Sequence, residues 1–226
     1  NMQIRFYGLT PYERGLELQQ QALNELEMGS DGILLALRHP PTLTLGRRTA
    51  PEEVLASPDL IKSKGIELIS VNRGGGATFH YPEQAVVYPI LNIHKMRLSV
   101  PDLLQKVALA LQQTLEKYGV INGVWDEDRP GVYVEGKKIA SVGFHLVKGL
   151  TSHGIALNIG NALDGFKLIA PCKMPDQPIT SIQDLTGQLP DSDEVCNDLA
   201  VFVRNALLAN NTGVAKLPLD PKPSRG

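Results

Sequence analysis

The sequence predicts an α+β fold in which helices flank a mixed or mostly antiparallel sheet. Three observations support this prediction. Apolar residues at helical spacing occur near the start, the middle and the end of the chain. Short apolar runs rich in β-forming residues lie between them, and Glu135-Gly136 joins two of these runs as a hairpin turn. We expect one domain over residues 1–215 and a flexible polar tail over residues 216–226.

In the first half of the chain, a helix precedes three predicted strands. The helix lies within "GLELQQQALNELEMGSDG" and ends at the glycines 29–32, its apolar stripe being Leu18, Ala22, Leu23 and Leu26. Residues 33–37 read as a buried strand, and after a Pro-Pro break a short strand ends at Gly46. Residues 85–91 are apolar and typical of a further strand.

The second half contains two helices around a β-rich region. Ser99 and Asp102 have the spacing of a helix cap, and the stripe that follows is Leu104, Val107, Ala108, Leu111 and Leu115. "PGVYVEGKKIASVGFHL" reads as strand, turn and strand, and "LTSHGIALNIG" as a turn followed by a strand. The last helix starts with Asp191 and Glu194 at capping positions, with Val195, Leu199, Phe202, Val203 and Ala206 facing inward.

Composition excludes several classes of function. The chain of 226 residues has a formal net charge of −2 and a pI near 6.2, so it presents no basic field for nucleic acid. No apolar run approaches the roughly 20 residues that a membrane helix needs, and the N-terminal segment lacks a signal pattern. Histidine and cysteine show no metal-ligand spacing. We expect a cytoplasmic protein with no nucleic-acid, membrane or metal partner.

The two cysteines, Cys172 and Cys196, differ in their surroundings. Cys172 follows a proline in a loop-like stretch and precedes Lys173, a cation that would lower its thiol pKa. It is therefore either a nucleophile or a small buried hydrophobic residue. Cys196 lies within the apolar stripe of the last helix, which favours core filling. Without an export signal we expect no structural disulfide.

Lys138 is the candidate partner for a nucleophilic cysteine. Lys137 and Lys138 are adjacent in a predicted strand, so one points outward and the other inward. Lys138 shares its side with Ala140 and Val142, a small apolar surface where an ammonium group would be partly desolvated and available as a base. The alternative is that both lysines are solvated hairpin residues.

The run Gly74-Gly75-Gly76 calls for a reason, because ordered glycine carries an entropic cost. Successive N–H groups can bind phosphate or a developing oxyanion, but a phosphate loop would be followed by a helix, and here a strand follows. A glycine-rich turn with a purely geometric role remains the alternative. The loop histidines His39, His80 and His153 are each, taken alone, compatible with a structural role.

Five stretches in order resemble the lipoyl(octanoyl) transferases, the octanoyl-carrier-protein:protein octanoyltransferases of lipoate synthesis. They are "RHPPTLTLG" (38–46), "RGGGATFHYPEQAVVYPI" (73–90), "GVYVEGKKIASVGFHL" (131–146), "SHGIALNI" (152–159) and "IAPCKM" (169–174). The resemblance spans residues 33–187, and five motifs in order are far more specific than any one of them. It implies the fold of the biotin and lipoate protein ligase catalytic domains.

The resemblance also implies roles for particular residues. Cys172 would carry the acyl group as a thioester, and Lys138 would lower the cysteine pKa and later act as base. The substrate site would be lined by Arg73, Gly74, Gly75, Gly76, Ala77, Thr78, Phe79, His80, Ser141, Val142, Gly143, Gly154, Ile155 and Ala156. On this reading the glycines let the acyl chain and its thioester carbonyl lie against the main chain.

The substrates and partners follow from the same resemblance. The donor would be octanoyl-acyl carrier protein, with no further cofactor and no metal. The acceptors would be lysines on lipoyl domains of 2-oxoacid dehydrogenase E2 subunits and on the glycine cleavage H protein.

Two departures from the family pattern affect the loops at the site. The family usually has His-Gly-Pro-Gly-Gln where this chain has His80-Tyr81-Pro82-Glu83-Gln84. It usually has Pro-Cys-Gly-Ile where Lys173 and Met174 follow the cysteine here. Both departures bear on loop geometry and substrate choice, while the predicted nucleophile and its lysine are retained.

Three rival functions remain. An ATP-dependent lipoate or biotin ligase of the same fold would activate a free acid and would not need Cys172. A cysteine-dependent amidotransferase would take octanoyl or lipoyl groups from an acylated protein. A non-catalytic module would bind an acyl chain or carrier protein without forming a covalent adduct.

Overall fold

A computed structural model of the chain describes residues 1–170 and 177–209. The predicted nucleophile Cys172, its neighbours Lys173 and Met174, and the predicted tail over 216–226 lie outside the described residues.

Ten strands form two sheets. The strands are β1 (Gln3–Leu9), β2 (Ile33–Arg38), β3 (Thr42–Leu45), β4 (Glu67–Ser70), β5 (Ala77–His80), β6 (Gln84–Ile90), β7 (Val124–Asp126), β8 (Gly131–Val134), β9 (Lys137–Val147) and β10 (Leu150–Asn158). The larger sheet has the order β1-β2-β6-β10-β9-β8-β7, and only its β1–β2 pair is parallel. The smaller sheet has the order β4-β3-β5 and pairs β3 with β4 in parallel.

The helices of the described ranges are α1 (Tyr12–Glu27), α2 (Pro58–Ser63), α3 (Val100–Lys117), α4 (Ile182–Thr186) and α5 (Ser192–Leu208), and short 3₁₀ turns cover Pro51–Glu53 and Asp164–Leu168. The predicted caps are present. The Ser99 hydroxyl accepts from Asp102 N at 3.1 Å while the Asp102 carboxylate accepts from Ser99 N at 3.1 Å. The Asp191 carboxylate accepts from Glu194 N at 2.9 Å at the start of α5.

The larger sheet has helices on both faces. Its α1 face buries Leu18 and Leu26 against Leu35, and its other face packs α3 and α5 in a separate apolar core. This arrangement explains the uninterrupted apolar run of β2. Alternate residues of the strand enter the two cores, Leu34 on one side and Leu35 on the other. The α+β prediction with a mixed, mostly antiparallel sheet is confirmed.

A third core holds the smaller sheet together. It contains Leu43, Phe79, Tyr81, Phe166 and Ile169, and its three aromatic rings contact one another with centroids 5.4–6.3 Å apart. Ile169 connects this core to the chain just before the segment that carries Cys172.

One predicted turn is misplaced. The hairpin turn at Glu135-Gly136 is present, with φ of 50° and 79°. The turn predicted inside "LTSHGIALNIG" is wrong, because β10 already starts at Leu150. The reversal occurs at Lys148-Gly149, where φ is 51° and 79°, so a lysine takes up the left-handed conformation beside the glycine.

Candidate functional site

A cavity of about 650 Å³ lies between the glycine run, the middle of β9 and β10, and the N-terminal ends of α1 and α3. Its volume is in the range of about 300–1,000 Å³ that is common for ligand sites. Most of the residues that the family resemblance assigns to the site line it: Arg73, Gly74, Gly75, Gly76, Ala77, Thr78, His80, Lys138, Ser141, Val142, Gly143, Gly154, Ile155 and Ala156.

Phe79 has a different position. Strand residues alternate between the two sides of a sheet, so Thr78 and His80 face the cavity while Phe79 enters the core of the smaller sheet. Its ring stacks on Tyr81 at 5.7 Å and meets Phe166 edge-on at 5.4 Å. Phe79 therefore supports the cavity wall from behind.

Main-chain hydrogen bonds hold the glycine run against the residues that follow β3. Gly46 N donates to Gly76 O at 3.1 Å, and Arg48 N donates to Gly75 O at 3.1 Å. On the other side, Gly74 N donates to Phe144 O of β9 at 3.2 Å. The run thus lies between the two sheets and forms one wall of the cavity.

Close packing explains two of the glycines in this region. A Cβ at Gly46 would lie 2.4 Å from Gly75 O, and a Cβ at Gly76 would lie 2.4 Å from a carboxylate oxygen of Glu53. Gly75 also has a φ of 83°, which L-residues rarely adopt. Glycine is required here by the protein's own atoms, in addition to any substrate that the cavity holds.

The Arg73 guanidinium group braces the glycine loop. Its Nη1 donates to Gly74 O at 2.9 Å, and its Nη2 donates to the carbonyl and the hydroxyl of Thr44 at 3.0 and 2.8 Å. The side chain is buried, and its charge contributes to lowering the pKa of His80 and His153.

Lys138 lines the cavity from β9, whereas the adjacent Lys137 is exposed. The inward orientation predicted for Lys138 is therefore found. The Lys138 Nζ lies 5.9 Å from the centre of the Tyr133 ring. Its stem passes close to Gly131, where a Cβ would lie 3.1 Å from Lys138 Cε.

The chain on both sides of residues 171–176 is anchored at the cavity. Before this segment, Ala170 N donates to Glu53 O at 2.7 Å, and Glu53 lines the cavity next to the glycine run. After it, Lys138 N donates to Pro178 O at 2.8 Å, and Arg129 Nη1 donates to the Gln177 side chain at 2.9 Å. The described residues on either side of 171–176 are therefore hydrogen-bonded to residues that line this cavity.

Three histidines converge with two tyrosines at the buried part of the site. Two of them were wrongly expected in loops, because His80 ends β5 and His153 lies within β10, whereas His39 directly follows β2. His39 receives a hydrogen bond from the Tyr88 hydroxyl at its Nε2 (2.7 Å), and its Nδ1 donates to Thr10 O at 2.8 Å. The rings of Tyr12 and His39 are 4.8 Å apart, those of Tyr12 and His80 5.7 Å, and those of Tyr88 and His153 6.1 Å. His80 Nδ1 donates to the Gln84 side chain at 2.7 Å.

Burial keeps these histidines neutral. It lowers the pKa of His39 and of His153 to about 4, with the nearby Arg73 charge adding to the effect at His153. The pKa of His80 is also well below its ordinary value for the same reason. Burial raises the pKa of Tyr12 to about 12 and raises that of Tyr88 as well. At neutral pH this part of the cavity is polar but carries no charge on these rings.

His153 has an unusual backbone and an unpaired ring nitrogen. Its φ is 58°, and its N–H donates to the side-chain oxygen of Gln19 at 2.7 Å. Within the part of the chain that the structure describes, the buried atoms His153 Nδ1 and Gln19 Nε2 have no hydrogen-bond partner. A φ of +150° at Gly154 follows, where a Cβ would lie 2.8 Å from Pro89 Cδ.

The departure from the family pattern after the glycine run is accommodated by packing. Tyr81 is buried in the core of the smaller sheet, and its hydroxyl donates to Gly160 O at 2.8 Å. The Glu83 carbonyl accepts from both Ile159 N and Gly160 N at 3.0 Å. These contacts tie the turn after β5 to the end of β10.

Cys196 is a buried core residue, as its position in the stripe of the last helix predicted. Its thiol contacts the carbonyls of Leu37 and Val86 at 3.4 and 3.3 Å, and burial raises its pKa to about 12. Such a thiol is not a nucleophile at neutral pH. The proposed nucleophile Cys172 lies outside the described residues.

Two further features concern metals and membranes. Residues 1–170 and 177–209 contain no group of three or more His, Cys, Asp or Glu side chains arranged to hold a metal ion. In the same ranges no helix combines the length and the apolarity that crossing a membrane requires.

Sequence reasoning missed several cavity residues. Tyr12 precedes the segment in which the first helix was predicted, Tyr88 was an unremarkable member of a predicted strand, and Glu53 lay in no predicted element. The histidines were noted singly, but nothing in their spacing showed that they meet. Each lies within one of the family motifs, and those motifs did not indicate that the three rings form one cluster.

The chain has the fold of the lipoate and biotin protein ligases. The structure resembles a lipoate-protein ligase A solved with bound ATP, with a TM-score of 0.68 and 19% identity over 92% of this chain and 85% of that one. It also resembles a biotin protein ligase from Aquifex aeolicus solved with biotin and ATP, with a TM-score of 0.55 and 16% identity over 91% of this chain and 70% of that one. At these identities the likeness establishes the fold alone.

Sequence comparison identifies the family. The model of the lipoyl protein ligase A/B catalytic domain matches residues 11–202. Two relatives are octanoyltransferases: one from Acidobacterium capsulatum is 41% identical over 78% of this chain and 77% of its own length. The other, from Nitratidesulfovibrio vulgaris, is 33% identical over 95% of this chain and 98% of its own length. The chain belongs to the lipoyl protein ligase A/B catalytic-domain family, within the octanoyltransferases, which are acyltransferases.

Proposed function

We propose that this chain transfers an octanoyl group from octanoyl-acyl carrier protein to a lysine of lipoyl domains in lipoate biosynthesis. The acyl group passes through a thioester on Cys172. The observation that carries the proposal is the match to octanoyltransferases over most of the chain, at 41% and 33% identity. Lys138 on the cavity wall, and the anchoring of both flanks of residues 171–176 beside it, support this assignment.

Chain connectivity limits where the nucleophile can be. Cys172 follows Ala170 by two residues, and two residues span at most about 7 Å. Ala170 N donates to Glu53 O at the cavity wall, which supports Cys172 as the nucleophile.

The first step is an exchange of thioesters. The Cys172 thiolate attacks the carbonyl carbon of the octanoyl thioester, and the phosphopantetheine sulfur leaves as a thiolate when the C–S bond breaks. This thiolate takes a proton from the Lys138 ammonium group, which leaves Lys138 neutral for the second step. One thioester replaces another, so no ATP is consumed. The cationic form of Lys138 favours the thiolate in this step.

The second step forms the amide. The acceptor lysine amine has an ordinary pKa near 10.4, so only about one molecule in a thousand or fewer is unprotonated at pH 7. Neutral Lys138 takes the amine proton as nitrogen attacks the thioester carbonyl, and the Cys172 thiolate leaves. Main-chain N–H groups near the glycine run stabilise the oxyanion, and one such donor is typically worth about 3 kcal/mol.

The proposed partners are acyl carrier protein as donor and, as acceptors, lipoyl domains of 2-oxoacid dehydrogenase E2 subunits together with the glycine cleavage H protein. The reaction uses no cofactor, because the acyl group of the donor is already activated as a thioester. The other residues assigned to the substrate site, apart from Phe79, form the walls around the acyl group. They are residues 73–78, His80, 141–143 and 154–156.

The test compares donors in the presence of an unmodified lipoyl domain. Octanoyl-acyl carrier protein without ATP should give octanoylated domain, detected by intact mass, and Cys172→Ala should abolish the product. Octanoic acid with ATP should give none. Product from the free acid and ATP that survives Cys172→Ala would contradict the proposal and indicate an ATP-dependent ligase.

A change of donor distinguishes the proposed octanoyltransferase from an amidotransferase. A protein that carries an octanoyl group on a lysine, offered in place of octanoyl-acyl carrier protein, should be a poor donor. Faster transfer from that acylated protein than from acyl carrier protein would assign the chain to the amidotransferases. Binding of acyl carrier protein without any transfer would indicate a non-catalytic module.

A further inference from the structure

The residues that line the cavity differ in exposure. Val100 and Leu146 keep 43% and 40% of their surface exposed. Four polar lining residues are at most 6% exposed and form one cluster with His39, and we call them the polar end: Tyr12, His80, Tyr88 and His153. An acyl chain gains hydrophobic free energy only where it leaves water, so burial directs it toward this buried part of the cavity.

An apolar slot would not by itself stop at eight carbons. Each buried CH₂ adds about 0.8 kcal/mol of favourable transfer free energy, so affinity in such a slot rises with chain length. The cavity volume of about 650 Å³ is typical of sites that bind drug-sized ligands, so volume alone does not exclude a longer chain. Something other than space has to limit the chain.

The polar end provides that limit. It presents phenol hydroxyls and neutral imidazoles, and the buried His153 Nδ1 has no hydrogen-bond partner within the described residues. A phenol oxygen that donates one hydrogen bond can still accept another, and an alkyl chain lying against Tyr12 and Tyr88 would displace any cavity water that supplies it, which costs about 1–3 kcal/mol for each group left without that bond. That cost exceeds the gain from one added CH₂.

The polar end is also held in place. The Tyr88 hydroxyl donates to His39, which in turn donates to Thr10 O, and His39 itself has no exposed surface. The hydroxyls of Tyr12 and Tyr88 are close enough to influence each other's pKa. Because Tyr88 is held to the main chain through His39, its hydroxyl cannot readily turn away from an incoming methyl group.

We propose that the polar end selects the acyl chain by the polarity of its far terminus. Chains that stop before Tyr12, Tyr88 and His153 are accepted, longer alkyl chains are rejected by desolvation of these groups, and longer chains with a neutral hydrogen-bonding terminus are accepted. The predicted additional substrate class is therefore acyl groups such as 10-hydroxydecanoyl. A neutral imidazole can donate and accept, which suits a hydroxyl group. This inference rests on the proposed acyl transfer.

The test compares octanoyl, decanoyl and 10-hydroxydecanoyl thioesters of acyl carrier protein as donors. For the wild-type chain we expect kcat/KM for decanoyl to be about tenfold below that for 10-hydroxydecanoyl. In Tyr12→Phe and Tyr88→Phe, which keep the rings and remove a hydroxyl, this ratio should fall several-fold. Tyr118→Phe is the matched control, because Tyr118 bonds to Asp198 between α3 and α5 and does not line the cavity.

Two results would overturn the inference. Equal rejection of decanoyl and 10-hydroxydecanoyl would show a steric stop, and equal acceptance would show no selection at this end. If the ratio of kcat/KM for the two ten-carbon donors is unchanged in both Tyr12→Phe and Tyr88→Phe, the polar end does not select the acyl chain. If octanoyl itself is not transferred, the proposed function fails; calorimetric binding of octanoic, decanoic and 10-hydroxydecanoic acids then still decides the order of preference.

Discussion

The main chains of Lys138 and Pro178 are hydrogen-bonded to each other, with Lys138 N donating to Pro178 O at 2.8 Å. The Lys138 carbonyl accepts from Thr180 N at 2.9 Å, so β9 and the chain that follows residues 171–176 run side by side. This pairing fixes the main chain of Lys138 relative to Pro178 and Thr180, which follow residues 171–176 in the sequence. A substitution of the Lys138 side chain would leave both main-chain bonds in place.

Lys138 should have two separable roles, and two substitutions distinguish them. Lys138→Met removes the charge and the base, and we expect transfer to fall by about 10²–10⁴-fold. Lys138→Arg keeps the charge but cannot act as a base near neutral pH. It should still permit acylation of Cys172 while losing transfer to the acceptor.

Single-turnover acylation and steady-state transfer, measured on the same preparations, check this prediction. Lys137→Met is the control, because Lys137 is the exposed neighbour on the same strand and should retain wild-type rates. Full transfer activity in Lys138→Arg would show that only the charge is needed.

Gly46 should be intolerant of any side chain. In Gly46→Ala the new Cβ would lie 2.4 Å from Gly75 O and 2.7 Å from Arg73 Nη1, so the glycine loop has to move. Overpacking of this kind costs about 1–3 kcal/mol, and urea unfolding measures the loss. Arg47→Ala, an exposed position in the same turn, should change the free energy of unfolding by less than about 0.5 kcal/mol. Equal stabilities of the two variants would contradict the packing account.

Acid should destabilise the protein through its buried histidines. The pKa of His153 falls from the ordinary 6.5 to about 4 in the folded state, because burial and Arg73 disfavour the cation. The unfolded chain then binds more protons than the folded one between these two values, so stability is complete above about pH 6.5 and is lost as the pH falls toward 4.

His153→Asn should reduce this dependence, since asparagine tolerates the positive φ of 58°. The slope of unfolding free energy against pH should decrease by up to about 1.4 kcal/mol per pH unit between pH 6.5 and 4. Chemical denaturation at several pH values measures this slope. The difference in free energy of unfolding between wild type and variant at pH 7.5 measures the contacts that the substitution itself removes. Identical slopes in wild type and variant would show that His153 does not titrate as expected.

The two cysteines should differ sharply in reactivity. Burial raises the pKa of Cys196 to about 12, and the thiol is only 3% exposed, so at pH 8 it should resist iodoacetamide in the native state. Cys172, as the proposed nucleophile, should be alkylated under the same conditions and protected by octanoyl donor. Peptide mass spectrometry distinguishes the sites. Preferential labelling of Cys196 would contradict this part of the account.

Much of the fold follows from sequence pattern, because its helices and central strands are long and periodic. The α3 cap at Ser99 and the Glu135-Gly136 turn were predictable from local chemistry alone. The strands of the smaller sheet are four residues each, and they are stabilised by packing of Phe79 and Tyr81 against Phe166, which is distant in the sequence. Local secondary-structure propensity does not include such long-range contacts and therefore does not predict these strands.

The candidate site was predictable where a motif marked it and not elsewhere. The lysine and glycine motifs identified Lys138 and the run at 74–76, and both line the cavity. Tyr12 and Tyr88 reach the same cavity because α1 and β6 pack against each other, a tertiary event that leaves no signature in either segment. Phe79 lies within a motif, yet strand alternation turns it away from the cavity.

The most direct measurement is intact-protein mass spectrometry after incubation with octanoyl-acyl carrier protein in the absence of ATP. We expect one octanoyl adduct on the wild-type chain, removed by hydroxylamine, and no thioester adduct on Cys172→Ser. Cys196→Ser should form the adduct as the wild type does. A folded wild-type chain that modifies lipoyl domains but never forms the adduct would contradict the thioester mechanism.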